Sequence, residues 1–393
     1  MVLFLHHRYR NSGGEERAAE GLARIVRARL GEEVVMLERD SGHIGSGAAA
    51  AGLLGGGLRP DQVAEAVRRL GARIVHAHNL QPTFGWRALA AARAAGARTV
   101  LHLHNYRLVC AIGVCFRDGR DCTDCHARNT LPGLLHDCRG ARGEALAYAA
   151  GLAAWQRATL DHADVVAVPS EFARRRLVEL GLPVSNAIVV PNPVGEAPPP
   201  DAGREAPPPD AAREAPPSSG AASEQGRNGA LVVSRLAPEK GIDVAVDACA
   251  LAGIPLTVAG EGPERVALEA RARALGATAT FLGRVPAAEL SRLRSRAAVA
   301  VVPSRSAETF GLAAAEAMDA GLPVAASRVG ALPELVPGDW LAPPGDASAL
   351  STVIARLAAD RDAGARGREL VRRHAGPAAV ARALQTAYDA ATA

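Results

Sequence analysis

The chain has 393 residues, 48% of them hydrophobic and 22% charged, with a formal net charge of +4; that is apolar material for two cores rather than one. The charge is too mild for a dedicated nucleic-acid binder, and no basic stripe is interleaved with aromatics. Of the 45 basic residues only Lys240 is a lysine, so arginine is the default cation of this chain and the exception asks for a reason.

Met1 to His7 carries no charged region ahead of its apolar run, so it reads as a first buried strand rather than an export signal. The cysteines are accordingly expected to be reduced. No apolar stretch approaches the roughly 20 residues of a membrane helix; the longest, Ala48 to Leu58, is short and interrupted by glycine. Short apolar runs predict strands at Val2–Leu5, Glu33–Leu37, Arg73–Ala77, Arg98–Leu103, Asp164–Val168 and Ala187–Val190. Amphipathic runs predict helices at Gly14–Leu30, Asp61–Leu70 and Ser170–Leu180, the last with Ser170 as its N-cap. This alternation means βαβ units and a parallel sheet.

From Glu196 to Ala222 a nine-residue unit is repeated three times, EAPPPDAGR, EAPPPDAAR, EAPPSSGAA. Its proline density forbids regular structure, and it reads as a solvated linker. The alternation then resumes, with strands expected at Ala230–Ser234, Pro255–Ala259, Thr278–Leu282, Val299–Val302 and Pro323–Ala326, helices from Glu239, Glu264, Pro286, Gly311 and Asp346, and a last helix over Pro377–Ala391. The expected organisation is an α/β domain over residues 1–194, a linker over 195–228, a second α/β domain over 229–375 and a terminal helical segment over 376–393. Ligands of such sheets sit beyond the C-terminal ends of the strands, in a cleft where two domains face each other.

Four segments of the second half fall at strand ends. Ser234 to Gly241, S-R-L-A-P-E-K-G, presents Arg235 and Lys240 on one loop, a planar fork and a compact point charge that suit a diphosphate. Gly260 to Pro263, G-E-G-P, is a tight turn in which Gly260 and Gly262 let backbone approach a ligand. Arg284 and Val285 follow the next strand, where the chain can pass close to a flat ring. Pro303 to Val324 is the richest: a polar loop leads into a helix beginning near Phe310, and the amides of Phe310, Gly311 and Leu312 would face an anion with the help of the helix dipole. Glu308 and Glu316 stand seven residues apart in that segment; Glu316, among alanines, needs a partner that a ribose diol would supply.

S-R-L-x-P-E-K-G, G-E-G-P and E-x7-E within P-S-x-x-x-E-T-F-G-L-x-x-x-E-A-M resemble the retaining glycosyltransferases of family 4, which have the GT-B fold of two Rossmann-like domains. The resemblance implies that Arg235 and Lys240 bind the diphosphate of a nucleotide-sugar, that Glu316 holds the ribose, and that Glu308 and the amides after it face the donor sugar and phosphates. It also implies that the final helix, Pro377–Ala391, crosses back onto the first domain. In the first half, Arg10 to Glu16 (R-N-S-G-G-E-E) resembles the G-G-E-[DE] opening of one branch of that family, as do I-V-H-A-H-N (Ile74 to Asn79) and L-H-N-Y-R-L-V-C (Leu103 to Cys110). Gly13 and Gly14 would let backbone approach a ligand at a helix N-terminus. His104 matches the position where the family places a histidine beside the donor sugar, which makes it the candidate catalytic residue of this half, as Arg235, Lys240 and Glu308 are of the other. His78 reads equally as structural or functional, and His102 reads as core.

Five of the six cysteines lie in one loop. Cys122 and Cys125 have metal-knuckle spacing, and Cys110 and Cys138 lie about a dozen residues to either side. These four fit a structural zinc site, with free thiols or a redox pair as the alternative; Cys115 is the spare and Cys249 reads as core. The chemistry itself calls for no metal, since cations and amides would neutralise the leaving diphosphate. The resemblance thus implies a cytosolic transferase with a nucleotide diphosphate-sugar donor and a sugar, lipid-linked or small-molecule acceptor. A sugar-nucleotide epimerase and a non-catalytic sugar-nucleotide-binding protein are the alternatives. Residues 1–195 carry 24 Arg against 18 acidic residues; Arg24, Arg27 and Arg29 on one helix and Arg174 to Arg176 on another read either as a solvated basic face or as a surface for anionic lipid.

Overall fold

The computed structural model describes residues 1–9, 13–195 and 227–393. Arg10, Asn11 and Ser12 and the proline-rich repeats lie outside the described residues. Fourteen strands occur among the described residues: β1 Val2–Arg8, β2 Val34–Asp40, β3 Ile74–Ala77, β4 Arg98–His102, β5 Phe116–Arg117, β6 Arg120–Asp121, β7 Val165–Val168, β8 Ile188–Val189, β9 Ala230–Val233, β10 Leu256–Ala259, β11 Ala279–Gly283, β12 Val299–Val302, β13 Val324–Ser327 and β14 Leu341–Ala342. They form two six-stranded sheets, in the orders β2-β1-β3-β4-β7-β8 and β11-β10-β9-β12-β13-β14, together with the small antiparallel hairpin β5-β6. Every pairing within the two large sheets is parallel. The expected two-domain α/β architecture is therefore observed.

The strands are apolar because helices cover both faces of each sheet. One core packs the second sheet around Val232, Val258, Val299 and Trp340. The first sheet is sandwiched between two cores, one around Leu5, Val75 and Leu101 and the other around Phe4, Ile25 and Val100. That last core is completed by the C-terminal helix Pro377–Thr392, which packs Val380, Leu384 and Tyr388 against β4, β7, β8 and the helix Gly14–Arg29. The terminal helix thus covers a face of the first sheet, as the resemblance implies.

Strand order also locates the ligand sites. In the second sheet the chain winds outward in opposite directions from β9 and β12, and in the first from β1 and β3. The crevice of a doubly wound sheet opens at these switch points. The loops leaving β9 and β12 carry Arg235, Lys240 and Glu308; those leaving β1 and β3 carry Gly13 and His78.

Most helix starts follow their expected signals. Ser170 caps Glu171–Glu179 by accepting from the Ala173 amide at 3.0 Å, and Asp346 caps Ala347–Ala359 through Ala349 at 2.8 Å. The helix expected from Glu239 instead begins at Ile242: Pro238–Lys240 forms a separate 3-10 turn, and Gly241 at φ +62° breaks the run. Three helices of the first domain carry no clear periodic signal and were not expected: Ser46–Gly55, Gly85–Ala94 and Arg142–Asp161, each rich in alanine. The apolar run at Ala48–Leu58 contains the first of these. Among the described residues no helix is long and apolar enough to cross a membrane.

Leu384 is fully buried beneath the first sheet, whereas Gln385 is exposed. Leu384→Ala should cost about 2–5 kcal/mol of first-domain stability, read as a lowered urea midpoint. Gln385→Ala should leave that midpoint nearly unchanged.

Candidate functional site

Lys240 lies at the end of the 3-10 turn after β9, where Gly241 reverses the chain. Its Nζ donates to Glu308 Oε1 at 2.7 Å, and the Ser304 hydroxyl donates to the same oxygen at 2.7 Å. Burial alone would raise the Glu308 carboxyl; the charge and hydrogen bond of Lys240, with the Ser304 bond, outweigh it and hold the group below the usual carboxylate range. Arg235 ion-pairs with Glu239 across the same turn.

The helix Leu312–Asp319 begins beyond Gly311, one residue later than expected. The amides of Phe310, Gly311 and Leu312 donate to no acceptor among the described residues. They lie within four residues of Glu308 in the chain, so the Lys240 charge and a helix N-terminus serve one loop. Gly260 and Gly262 have a structural reason to be glycine: a Cβ on either would overlap the backbone of Ser234 or Leu236. They brace the Arg235 loop from beneath. Arg284 is exposed and Val285 half-buried, just past β11.

Glu316 was expected to need a partner that a ribose diol would supply; within the protein it already has two, Arg294 at 2.5 Å and, from the first domain, Arg17 at 3.1 Å. The half-buried carboxylate is compensated by guanidinium groups in this arrangement. A diol seated there would share the carboxylate with them.

The three first-half motifs meet on one residue that the sequence reading did not single out. Glu15 accepts from Asn79 Nδ2 and from Asn105 Nδ2, each at 2.6 Å. The G-G-E-E helix start, the H-A-H-N strand end and the H-N-Y-R loop are tied together there. Gly13 is extended at the N-cap, and its amide is taken by Glu16 at 2.6 Å. Gly14 faces Leu312 of the second domain, which a Cβ would approach to 3.1 Å. Glycine is thus used for domain approach.

His104 is buried. Its Nε2 and His78 Nδ1 are 2.8 Å apart, and its carbonyl accepts from Thr309 Oγ1 of the second domain at 2.7 Å. His78 is therefore the side chain that orients His104. His102 stacks on His104 with ring centroids 4.1 Å apart, and on His76 at 5.5 Å. His76 in turn meets Tyr388 Oη at 2.9 Å. A row of buried imidazoles thus runs from the C-terminal helix to the cleft. Desolvation foremost, then mutual repulsion, lowers His6 to about 4 and His76 to about 3; desolvation lowers His104 to about 4 despite opposing help from Glu15. His104 is accordingly a neutral hydrogen-bonding group near pH 7.

The two domains touch through the loop before Leu312. Tyr106 Oη donates to the Ala307 carbonyl at 2.9 Å, and Ser170 Oγ donates to the Thr309 carbonyl at 2.7 Å while capping its own helix. Tyr106, Ser170 and Thr309 thus bond across the domain seam, a role that sequence did not suggest for them; Ser170 was expected only as an N-cap. The arginines read as a lipid surface are largely engaged: Arg174 pairs with Glu171, Arg175 with Glu334, Arg176 with Asp121, and Arg27 donates to the Val34 carbonyl. Cys110, Cys115, Cys122, Cys125 and Cys138 line one small pocket beside the β5-β6 hairpin.

Residues 9–193 match the family described as glycosyl transferase 4-like domain, and residues 219–373 match the family described as glycosyl transferases group 1. Sulfoquinovosyl transferase SQD2 of Arabidopsis thaliana is 38% identical over 109 residues, 26% of this chain and 21% of that one. Amylovoran biosynthesis glycosyltransferase AmsK of Erwinia amylovora is 34% identical over 146 residues, 32% and 35% of the two chains. The matches thus span about a fifth to a third of these relatives' length. The solved structure of Anabaena Alr3699/HepE in complex with UDP and glucose is similar in fold, with a TM-score of 0.63 and 18% identity over 99% of each chain.

The buried histidines predict an acid-labile first domain. Their pKa values lie below the unfolded value of 6.5, so the unfolded chain takes up protons first as pH falls. The stability they contribute is full above about pH 6.5 and is lost towards pH 4. Urea unfolding should show a declining midpoint from pH 7 to pH 5. A flat profile would contradict a neutral buried row.

Proposed function

The chain belongs to the GT4/GT1 superfamily of glycosyltransferases, and from that premise we propose that it moves a sugar from a nucleotide diphosphate-sugar to an acceptor hydroxyl with retention of configuration. The observation that carries this reading is the pairing of Lys240 with Glu308 beside the unbonded amides of Phe310, Gly311 and Leu312. A compact cation and a helix N-terminus on adjoining loops suit a leaving diphosphate. A protein otherwise furnished with arginine keeps a lysine at that point.

In the proposed mechanism Arg235, Lys240 and the three amides bind and neutralise the diphosphate as the glycosidic bond breaks, so no divalent metal is called for. When donor phosphate displaces Lys240 from Glu308, the carboxylate turns to the sugar hydroxyls as a positioning group. Glu316 takes the ribose by exchanging part of its arginine pairing. His104, neutral and oriented by His78, hydrogen-bonds the sugar from the first domain. The acceptor attacks from the face the diphosphate leaves, and the departing phosphate oxygen takes its proton.

Two of the similar proteins support the substrate classes. UDP and glucose accompany the Anabaena structure, which favours a nucleotide-sugar donor. AmsK is an amylovoran biosynthesis enzyme, which favours polysaccharide or glycoconjugate assembly. Family models for glycosyltransferases over both halves of the chain favour transfer over binding alone.

Lys240→Ala should lower kcat/KM at least ~100-fold, about 3 kcal/mol of transition-state stabilisation, with unchanged circular dichroism. Lys240→Arg keeps the charge but not its compact shape, and should fall between the two. Near-normal turnover in Lys240→Ala would refute the assignment.

A further inference from the structure

The loop between β4 and the helix Arg142–Asp161 runs for some forty residues with only a two-stranded hairpin and the single turn of helix Leu131–Leu135. Loops of this length need an anchor to hold one conformation. Four of the five non-glycine residues with left-handed backbone among the described residues lie in it: Cys115, Asp118, Ala127 and Asp137. Such backbone persists only where its surroundings impose it. The start of the loop is held by Tyr106, Leu108 and Val109 in the first-sheet core, but beyond Phe116 large apolar side chains are few, and Leu131 and Leu135 are exposed.

The five cysteines of the loop lie together at the edge of that core. All five line one pocket with a cavity of about 20 Å³, room for one small sphere and too little for an organic ligand. Their environments separate them. Cys115 is buried at 2% exposure within the core of the first sheet. Cys110, Cys122, Cys125 and Cys138 are only partly buried. The hairpin β5-β6 delivers Cys122 and Cys125 to one wall, and the Cys122 amide is fixed by the Cys115 carbonyl at 2.9 Å. The Cys138 amide is fixed by the Gly133 carbonyl at 3.1 Å, and Cys125 Sγ lies over Gly133, where a Cβ would stand at 3.6 Å. Arg117 and Asp124 line the same pocket and are paired with each other at 3.1 Å.

We propose that Cys110, Cys122, Cys125 and Cys138 bind one zinc ion as a tetrathiolate, with Cys115 as a packing residue behind Cys110. The four thiols release their protons on binding, and the sulfurs close to about 2.3 Å from the metal. Among the described residues the site where three ligand atoms already lie within 4.8 Å of one another is His76, His78 and His102; the cysteine sulfurs stand wider, and the metal draws them together. The ion locks the loop whose first turn bonds the Cys110 amide to the Tyr106 carbonyl at 2.8 Å. Tyr106 is the residue that grips Ala307 across the domain seam. The zinc therefore holds one wall of the cleft without entering the chemistry.

Protein purified from zinc-supplemented culture should contain about one zinc per chain by elemental analysis. Cys115→Ser and Cys249→Ser should keep it, while Cys122→Ser and Cys125→Ser should lose it. Should the ligand variants fail to fold, titration of the native wild-type protein with a mercurial carries the test: one zinc should be released as four thiols react, reported by a chromogenic chelator. Negligible zinc with the four thiols freely reactive, a mapped Cys122–Cys125 disulfide, or a full zinc complement in Cys125→Ser would overturn the proposal.

Discussion

The loop from Pro303 to Gly311 is gripped from two domains at once. Its own domain holds it through the Glu239 carbonyl, which accepts from the amides of Arg305 at 2.9 Å and Ser306 at 3.2 Å, and through the Glu308 carbonyl, which accepts from Ala331 at 2.8 Å. Gly330 packs so closely beneath Glu308 that a Cβ would overlap its backbone. The first domain adds Tyr106, Ser170 and the carbonyl of His104. Buried backbone polar groups must find partners, and here the partners also set the distance between the two halves of the site. Glu308 and His104 are joined through Thr309, so movement of either domain is transmitted to both. Closure over a ligand would have to break or keep these few bonds.

The electrostatics follow from that arrangement. Lys240 and Arg235 rest on carboxylates of their own loop or its neighbour, Glu308 and Glu239, so neither is held by a distant element. Glu316 is engaged by Arg294 and Arg17 in the same way. Lys240, Arg235, Glu308 and Glu316 are therefore each paired within the protein. The opposite wall is different. Its imidazoles are neutral and buried, which keeps water out and strengthens the charge interactions they face.

What could be read from the amino-acid order was whatever depends on near neighbours. The βαβ alternation, the Ser170 and Asp346 caps and the strand-end loops with Arg235, Lys240 and Glu308 are local patterns, and the structure contains them. The alanine-rich helix Ser46–Gly55 escaped because a stripe of alanine and glycine has no polar face to set a period. Long-range partners escaped for a different reason. Arg17 and Glu316 are 299 residues apart, and the convergence of Asn79 and Asn105 on Glu15 requires the folded sheet. Gly260 and Gly262 were legible as special, but as ligand-facing; their crowding by the Arg235 loop comes from packing that no spacing reveals.

The central claim is that the loops around Lys240 and Glu308 form a diphosphate site. Calorimetry with uridine, guanosine and adenosine diphosphates, each against its monophosphate and in the presence of a chelator, tests it most directly. One nucleoside diphosphate should bind at least ~10-fold tighter than its monophosphate, as one further charge-assisted contact implies, and that advantage should vanish in Lys240→Ala. Equal affinity for mono- and diphosphate, or a preference that survives in the variant, would contradict the account.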